Sequence, residues 1–306
     1  MVNDIACSPN ATVSEIFDDR MGKILRRASK QIEHDDFVKL MTLTLNQSWL
    51  EEESEALIEL WNLCKFTSEQ ELVYNLLLRF KYLTSSEIKT SGREVANHIL
   101  NVWNLSPKGT RIIAVSDKRE ADGSQMFIQS LKDKFTTNNW KENNFINNIG
   151  DGLKLTRKNY KIILLDDFIG TGDTIERRVK WARKQIRKKH KTNVSIRVVC
   201  LAALEIAKPK LDLLKIEYYS PIWLKRGISD HYKAKELKKA ISDMKRLEDE
   251  LAKRYNGQSM PSFGYKKSEA LFAIEAFNTP NNVFPIFWWP VLANQQQRNT
   301  LLKRLR

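Results

Sequence analysis

Three short, almost wholly apolar runs constrain the fold of this chain more than any other feature. They are Arg111-Ile-Ile-Ala-Val115, Lys161-Ile-Ile-Leu-Leu165 and Ile196-Arg-Val-Val-Cys-Leu-Ala-Ala-Leu204, and Ile216 to Tyr219 is a candidate fourth. Helix-like stretches separate them. A strand that does not alternate between apolar and polar residues must be buried on both faces, and strands of this kind belong to a parallel sheet covered by helices. The predicted fold class is therefore α/β, with a parallel-sheet core over residues 106–222. Such sheets bind ligands at the carboxyl ends of their strands. Chemistry is expected in the loops that follow Val115 and Leu165.

The flanks read differently. Residues 1–105 carry apolar residues at three- and four-residue spacing: Leu40, Leu43 and Leu45, then Leu57, Ile58 and Trp61, then Leu72, Leu76, Leu77 and Phe80. Thr67-Ser68-Glu69-Gln70 has the form of a capping box, and the region is expected to be helical. Residues 223–306 form a predicted α+β extension that closes over the site. Its helix spans 233–255, with Leu237, Ile241, Met244, Leu247 and Leu251 on one side. Beyond Asn256-Gly257 come a strand from Ala270 to Phe277, an Asn278-Thr-Pro-Asn-Asn282 turn and an aromatic run, Phe284 to Trp289. Trp288 and Trp289 fit core packing better than ligand stacking.

Composition excludes several classes. Cys7, Cys64 and Cys200 lie far apart without metal-ligand spacing, which argues against a disulfide framework and for a reducing cytosol. His34, His98, His190 and His231 are scattered. No apolar run approaches the ~20 residues of a membrane helix, and the N-terminus lacks a basic-then-apolar leader, so a cytoplasmic protein without membrane contact is expected. Charge is uneven: residues 1–150 have a net charge of −3 and residues 151–306 one of +17. A positive field confined to one half predicts attraction to phosphate, free or polymeric.

The segment richest in chemistry is Ile162-Ile-Leu-Leu-Asp166-Asp167-Phe-Ile-Gly170-Thr171-Gly172-Asp173-Thr174, followed by a helix. Its glycines permit close backbone approach. Successive N–H groups, the Thr hydroxyls and the positive end of the following helix can cradle a phosphate monoester. The two carboxylates, one loop away, can accept hydrogen bonds from sugar hydroxyls. Together these features fit a ribose 5-phosphate. The same pattern could serve as a Walker B strand, but the chain has no GxxxxGK[ST] loop. A receiver-domain acceptor Asp and an inert strand-to-helix turn are the other readings, and the former fits poorly with so much chain before it.

This segment resembles the 5-phosphoribosyl-1-pyrophosphate (PRPP) motif of type I phosphoribosyltransferases. The resemblance implies that Asp166 and Asp167, the catalytic candidates, hold the ribose 2- and 3-hydroxyls. Gly170, Thr171, Gly172, Asp173 and Thr174 would hold the 5-phosphate. Mg²⁺ would be bound mainly through PRPP, with no direct protein ligand set. Two positions depart from the motif: Phe168 is bulkier than the usual residue, and Gly170 stands where Thr, Ala or Ser is usual. The expected pyrophosphate loop includes Asp117, Lys118, Arg119, Gly123 and Ser124. The C-terminal block, with Phe263-Gly264-Tyr265, Ser268-Glu269-Ala270-Leu271 and the Asn-rich turn, resembles phosphoribosyltransferase-like proteins of bacterial anti-phage loci, some encoded beside retron reverse transcriptases. That implies a toxic effector acting by glycosyl transfer or cleavage and held in check by an inhibitory partner. Asn278, Asn281 and Asn282 are candidates for reading an acceptor. Another function on the same fold is a non-catalytic regulator that senses PRPP or binds nucleic acid.

From Arg177 to Lys191 there are nine Lys/Arg and no acidic residue. With Ile175, Val179, Ala182 and Ile186 docked on the sheet, Arg177, Lys180, Lys184, Arg187, Lys188 and Lys191 would point outward as a phosphate-backbone contact. In the retron setting the nucleic acid would be retron DNA or RNA.

Overall fold

Residues 33–116 and 122–305 are described by the computed structural model. A helical layer comes first: α1 (His34–Asn46), α2 (Ser54–Leu63) and α3 (Thr67–Leu78). Leu40 and Leu43 of α1 are buried, whereas Leu45 and, on α2, Ile58 face solvent, so the apolar stripe is narrower than their spacing suggested. The cap of α3 also differs from expectation. Thr67 is the first helical residue, and Phe66, which has no side-chain acceptor, precedes it. Only the Glu69 half of the box forms, accepting from the amides of Lys65 at 2.8 Å and Phe66 at 3.3 Å. A complete box caps α4 (Ser85–Asn97), where Thr84 and Glu87 exchange bonds.

The core sheet has β2 (Thr110–Ala114), β3 (Phe145–Ile146), β4 (Lys161–Ile169), β5 (Ser195–Leu204), β6 (Glu217–Tyr219) and β7 (Ile222–Leu224). Every pairing is parallel, in the order β3-β2-β4-β5-β6, with β7 also on β5. The α/β parallel-sheet core is as expected. α4 and α5 (Gly123–Leu131) cover one face through Ile88, Val95, Phe127 and Ile128. α6 (Ile149–Leu155), α7 (Asp173–Lys188) and α8 (Lys208–Leu213) cover the other through Ile149, Ile175, Val179 and Leu211. The chain winds outward from β2 to β3, then returns to β4 and winds the other way. The topological switch point therefore lies between β2 and β4, where ligands bind in open α/β sheets.

The two flanks meet. β1 (Lys81–Leu83), which the helical reading of the N-terminal region did not foresee, pairs in parallel with β10 (Phe272–Ile274), all that forms of the longer strand expected there. α9 (Ala234–Asp249) stops short of its expected end, and β8 (Arg254–Tyr255) and β9 (Gln258–Ser259) form a hairpin. Asn256 and Gly257 turn it with φ +48° and +75°, the signs a two-residue type I′ turn requires. Leu60, Leu76, Met244, Phe284, Phe287 and Trp289 share one core, so the N-terminal helices and the extension are packed as a unit. Trp288 and Trp289 are buried, with Trp288 Nε1 donating to the Val283 carbonyl at 2.9 Å. No described helix is long and apolar enough to cross a membrane.

Candidate functional site

β4 does not end at the acidic pair. It runs on to Ile169, pairing Phe168 with Ala202 and Ile169 with Ala203, so Asp166 and Asp167 are strand residues. Successive strand residues point to opposite faces. Asp166 lines a cavity with the loop that follows β4. Asp167 meets the start of α5 instead: a Cβ on Gly123 would stand 2.2 Å from its Oδ2. A side chain at Gly123 would therefore have to displace the Asp167 carboxylate.

Burial pushes both carboxyls above the ordinary aspartate range. The charge of Asp167 and then that of Asp122 add to this at Asp166, and Asp122 also raises Asp167. A ligand that donates hydrogen bonds to these oxygens would return part of the solvation lost on folding. Asp122 is the N-cap of α5 and accepts from the Ser124 amide at 3.0 Å and the Ser124 hydroxyl at 2.5 Å. Gly123 and Ser124 do open a helix N-terminus, and the Ser124 hydroxyl is spent on its cap. Asp117, Lys118 and Arg119 of the expected pyrophosphate loop lie outside the described residues.

The Gly/Thr loop joins β4 to α7. Gly172 caps α7 at φ +78°, in the left-handed region that favours glycine, and Asp173 begins the helix. Gly170, Thr171, Gly172, Asp173 and Thr174 line a cavity of 230 Å³ together with Asp166 and Arg177. Asp173 is not a free carboxylate. Lys210 of α8 bonds its Oδ1, Lys266 of the extension lies 2.7 Å from its Oδ2, and these partners hold its carboxyl well below the usual range. Neither lysine was singled out from the sequence, because nothing local marks a residue that reaches a loop from a distant element.

The extension forms the other wall. Asn281 and Asn282 line the cavity, as does Tyr265, which was not foreseen as a ligand contact. Asn282 Nδ2 donates to Ser268 Oγ at 3.1 Å. Asn278 is not brought to the site: its side chain holds Leu305, donating to the carbonyl at 3.2 Å and accepting from the amide at 2.8 Å. Both departures from the type I motif face this wall. Phe168 stacks on Phe272 with centroids 4.6 Å apart and planes at 14°. Gly170 lies directly against Asn282.

The basic helix separates into groups. Arg177 is at the cavity, with Nη2 3.4 Å from Thr174 Oγ1. Lys180 pairs with Glu176 at 2.6 Å. Lys184, Arg187 and Lys188 are exposed, and so is Trp181 among them. Lys191 departs from its expected place on the outward face: its ammonium turns onto the carbonyls of Leu153 and Thr156, at the end of α6. Between α7 and the β5–β6 edge lies a groove of 960 Å³ bordered by Lys180, Arg183, Arg187 and Lys215, with Ile186 and Ile196 on its floor.

The family model described as PRTase-CE matches residues 47–304. No curated protein matches the chain. Similar solved structures include a hypothetical protein from Neisseria gonorrhoeae with bound ppGpp, at 14% identity over 48% of this chain and 85% of that one, TM-score 0.33. A hypoxanthine-guanine-xanthine phosphoribosyltransferase is similar at 17% identity over 49% and 85%, TM-score 0.30. A mutant hypoxanthine phosphoribosyltransferase from Trypanosoma cruzi, complexed with IMP, is similar at 16% over 46% and 71%, TM-score 0.29.

Proposed function

The chain belongs to the PRTase-CE family, and on that premise we propose that its cavity binds the ribose 5-phosphate of PRPP and that the protein transfers or cleaves at the ribose C1 carbon. One observation carries this reading: Asp166 and the Gly170–Thr174 loop, at the N-terminus of the 16-residue α7, line a single cavity. The loop amides and helix dipole receive the 5-phosphate. Asp166 accepts from the ribose hydroxyls, and Asp167, turned to the start of α5, stands behind it on the strand's other face. The C1–oxygen bond to pyrophosphate breaks, pyrophosphate leaves with the electron pair, and an acceptor or water bonds to C1 and gives up a proton. The transition state resembles an oxocarbenium ion, as in other glycosyl transfers. Mg²⁺ would be held mainly by the phosphate oxygens of PRPP, since it takes only one or two carboxylates beside them. Asp166, the carboxylate that lines the cavity, is the residue that could share the ion with PRPP, and the ion would offset the leaving pyrophosphate charge.

Calorimetric titration with PRPP and Mg²⁺ tests the binding, and pyrophosphate release with nucleotide or nucleic-acid acceptors tests the turnover. Saturable binding abolished by Asp166→Asn with Asp167→Asn is expected. A chain that takes up no pentose phosphate would end this reading. In the biological role that fits best, the protein is an anti-phage effector restrained by a partner, retron-encoded where such a locus is present. Expression without that partner should be toxic, and the double Asn variant should relieve the toxicity.

A second reading is favoured by Trp181, exposed among Lys180, Lys184 and Lys188. Basic side chains interleaved with an aromatic ring suit single-stranded nucleic acid, in which backbone contacts combine with base stacking. The protein would then be a regulator that senses PRPP while holding nucleic acid. Its affinity for a short oligonucleotide should fall steeply with salt and fall further in Trp181→Ala. Salt-independent or absent binding would remove this reading and leave the first untouched.

A further inference from the structure

The phosphate loop carries a side chain that, taken alone, opposes its proposed ligand. Asp173 opens α7, so its carboxylate stands where loop amides and the helix dipole would receive an anion. An isolated carboxylate there repels a phosphate dianion. Asp173 is not isolated. Lys210 Nζ, from α8, bonds its Oδ1, and Lys266 Nζ, from the extension, lies 2.7 Å from its Oδ2. Glu176 Oε2 is a second acid near Lys210, at 3.8 Å, but it also bonds Lys180 through its other oxygen at 2.6 Å.

Charge at the loop is thus reversed by residues from outside it. Two ammonium groups face the Asp173 carboxylate, which itself lines the cavity together with Arg177. The two lysine side chains keep 31% and 60% of their exposure, so they are placed without being sequestered. Partly exposed ion pairs contribute little to folding. Bringing two lysines from separate elements to one carboxylate is better explained by what they do for a ligand. Each ammonium has three donors, so it can keep its bond to Asp173 and offer another to a phosphate oxygen.

We infer that Lys210 and Lys266 are phosphate-binding residues of this site, and that Asp173 is the positioning residue that holds their ammonium groups over the loop. The inference rests on the ribose 5-phosphate reading and extends it to residues outside the motif, one of them on the C-terminal extension. The extension then takes part in phosphate recognition as well as walling the cavity. The favoured ligand is a doubly charged sugar phosphate monoester, and a neutral pentose gains nothing from the pair.

The experiment titrates the full chain with ribose 5-phosphate, and with ribose as the uncharged control. Lys210→Gln and Lys266→Gln should each weaken ribose 5-phosphate about tenfold, in line with loss of one charge-assisted hydrogen bond. Melting temperature should be unchanged, and Lys266→Arg should recover most of the affinity. Asp173→Ala separates positioning from repulsion. It should weaken binding although it removes a negative charge, and Lys266→Gln should cost less in the Asp173→Ala background than in the wild type. Wild-type affinity in both Gln variants, or tighter binding by Asp173→Ala, overturns the inference while the parent reading stands. A wild-type chain that binds no ribose 5-phosphate overturns both.

Discussion

Gly170 and Asn282 share one space: a Cβ added to Gly170 would lie 2.3 Å from Asn282 Cγ. The loop position that departs from the type I motif is therefore shaped by the extension. Moving the Asn282 amide aside would break its Nδ2 bond to Ser268 Oγ at 3.1 Å. Gly170→Ala should cost about 1–3 kcal/mol of stability through overpacking. Asn282→Ala alone should cost about 1 kcal/mol for the lost hydrogen bond. In Gly170→Ala/Asn282→Ala the methyl group takes vacated space, so the double variant should be more stable than the two single effects summed. Chemical denaturation of the four proteins reads this cycle, and strict additivity would show that the contact is not a shared constraint.

The other departure, Phe168, ties the motif to the same wall. Its ring stacks on Phe272, which is fully buried in β10. Phe168→Val restores a residue usual for the motif but removes the stack. A loss of about 1–3 kcal/mol is expected from reduced packing and the aromatic contact. Equilibrium denaturation checks it, and unchanged stability would mean the stack does not anchor the extension.

Much of this architecture was legible in the chain. Ile112, Ile163 and Val198 sit in unalternating apolar runs because the sheet is covered on both faces, and that pattern pointed to both the fold class and the end of the sheet where the candidate cavity lies. The loop was legible because Gly172 and Thr171 form a local motif. The extension was harder to read. β10 has only three residues and pairs with β1 across a separation of about 190 residues, a relationship no local window contains. Lys210 and Lys266 look like any surface lysines until the fold brings them to Asp173. Lys191 looked like part of a basic stripe because helical spacing continues through it, yet α7 ends at Lys188 and the following turn directs the ammonium onto α6 carbonyls. Asn278 shares a turn with Asn281 and Asn282, but its bonds to Leu305 turn it away from the cavity.

The acidic pair predicts a conflict between stability and binding. Burial raises both carboxyls above their unfolded value of about 4. The folded state then binds protons more tightly than the unfolded chain, so stability is greatest below that value and is lost as pH rises through the raised ones. Asp166→Asn removes one buried charge without changing side-chain size. At pH 8 it should be more stable than the wild type by about 1–3 kcal/mol, with a flatter pH profile and without ribose phosphate binding. Denaturation at pH 5 and pH 8 tests the first part, and a variant less stable than the wild type at pH 8 would contradict it.

Glu248 makes a separate prediction away from the dyad. It is buried on α9, accepts from the Ser262 hydroxyl, and accepts from the Phe263 amide at 2.8 Å. Those residues lead into Gly264, whose φ is +76° and whose missing Cβ would meet the Asn282 carbonyl oxygen at 2.0 Å. The carboxylate thus secures the stretch of chain that delivers Tyr265 to the cavity and Lys266 to Asp173. Burial pushes its carboxyl up to about 7. Because that lies above the unfolded value, the contribution of Glu248 is fully present below about 4.3 and is lost as pH rises through about 7. Glu248→Gln keeps an acceptor for the Phe263 amide but cannot ionise. Between pH 5 and pH 8 the wild type should lose on the order of 2 kcal/mol more stability than the variant. Denaturation midpoints at pH 5, 6, 7 and 8 measure the difference, and parallel curves for the two proteins would show that Glu248 does not titrate in this window.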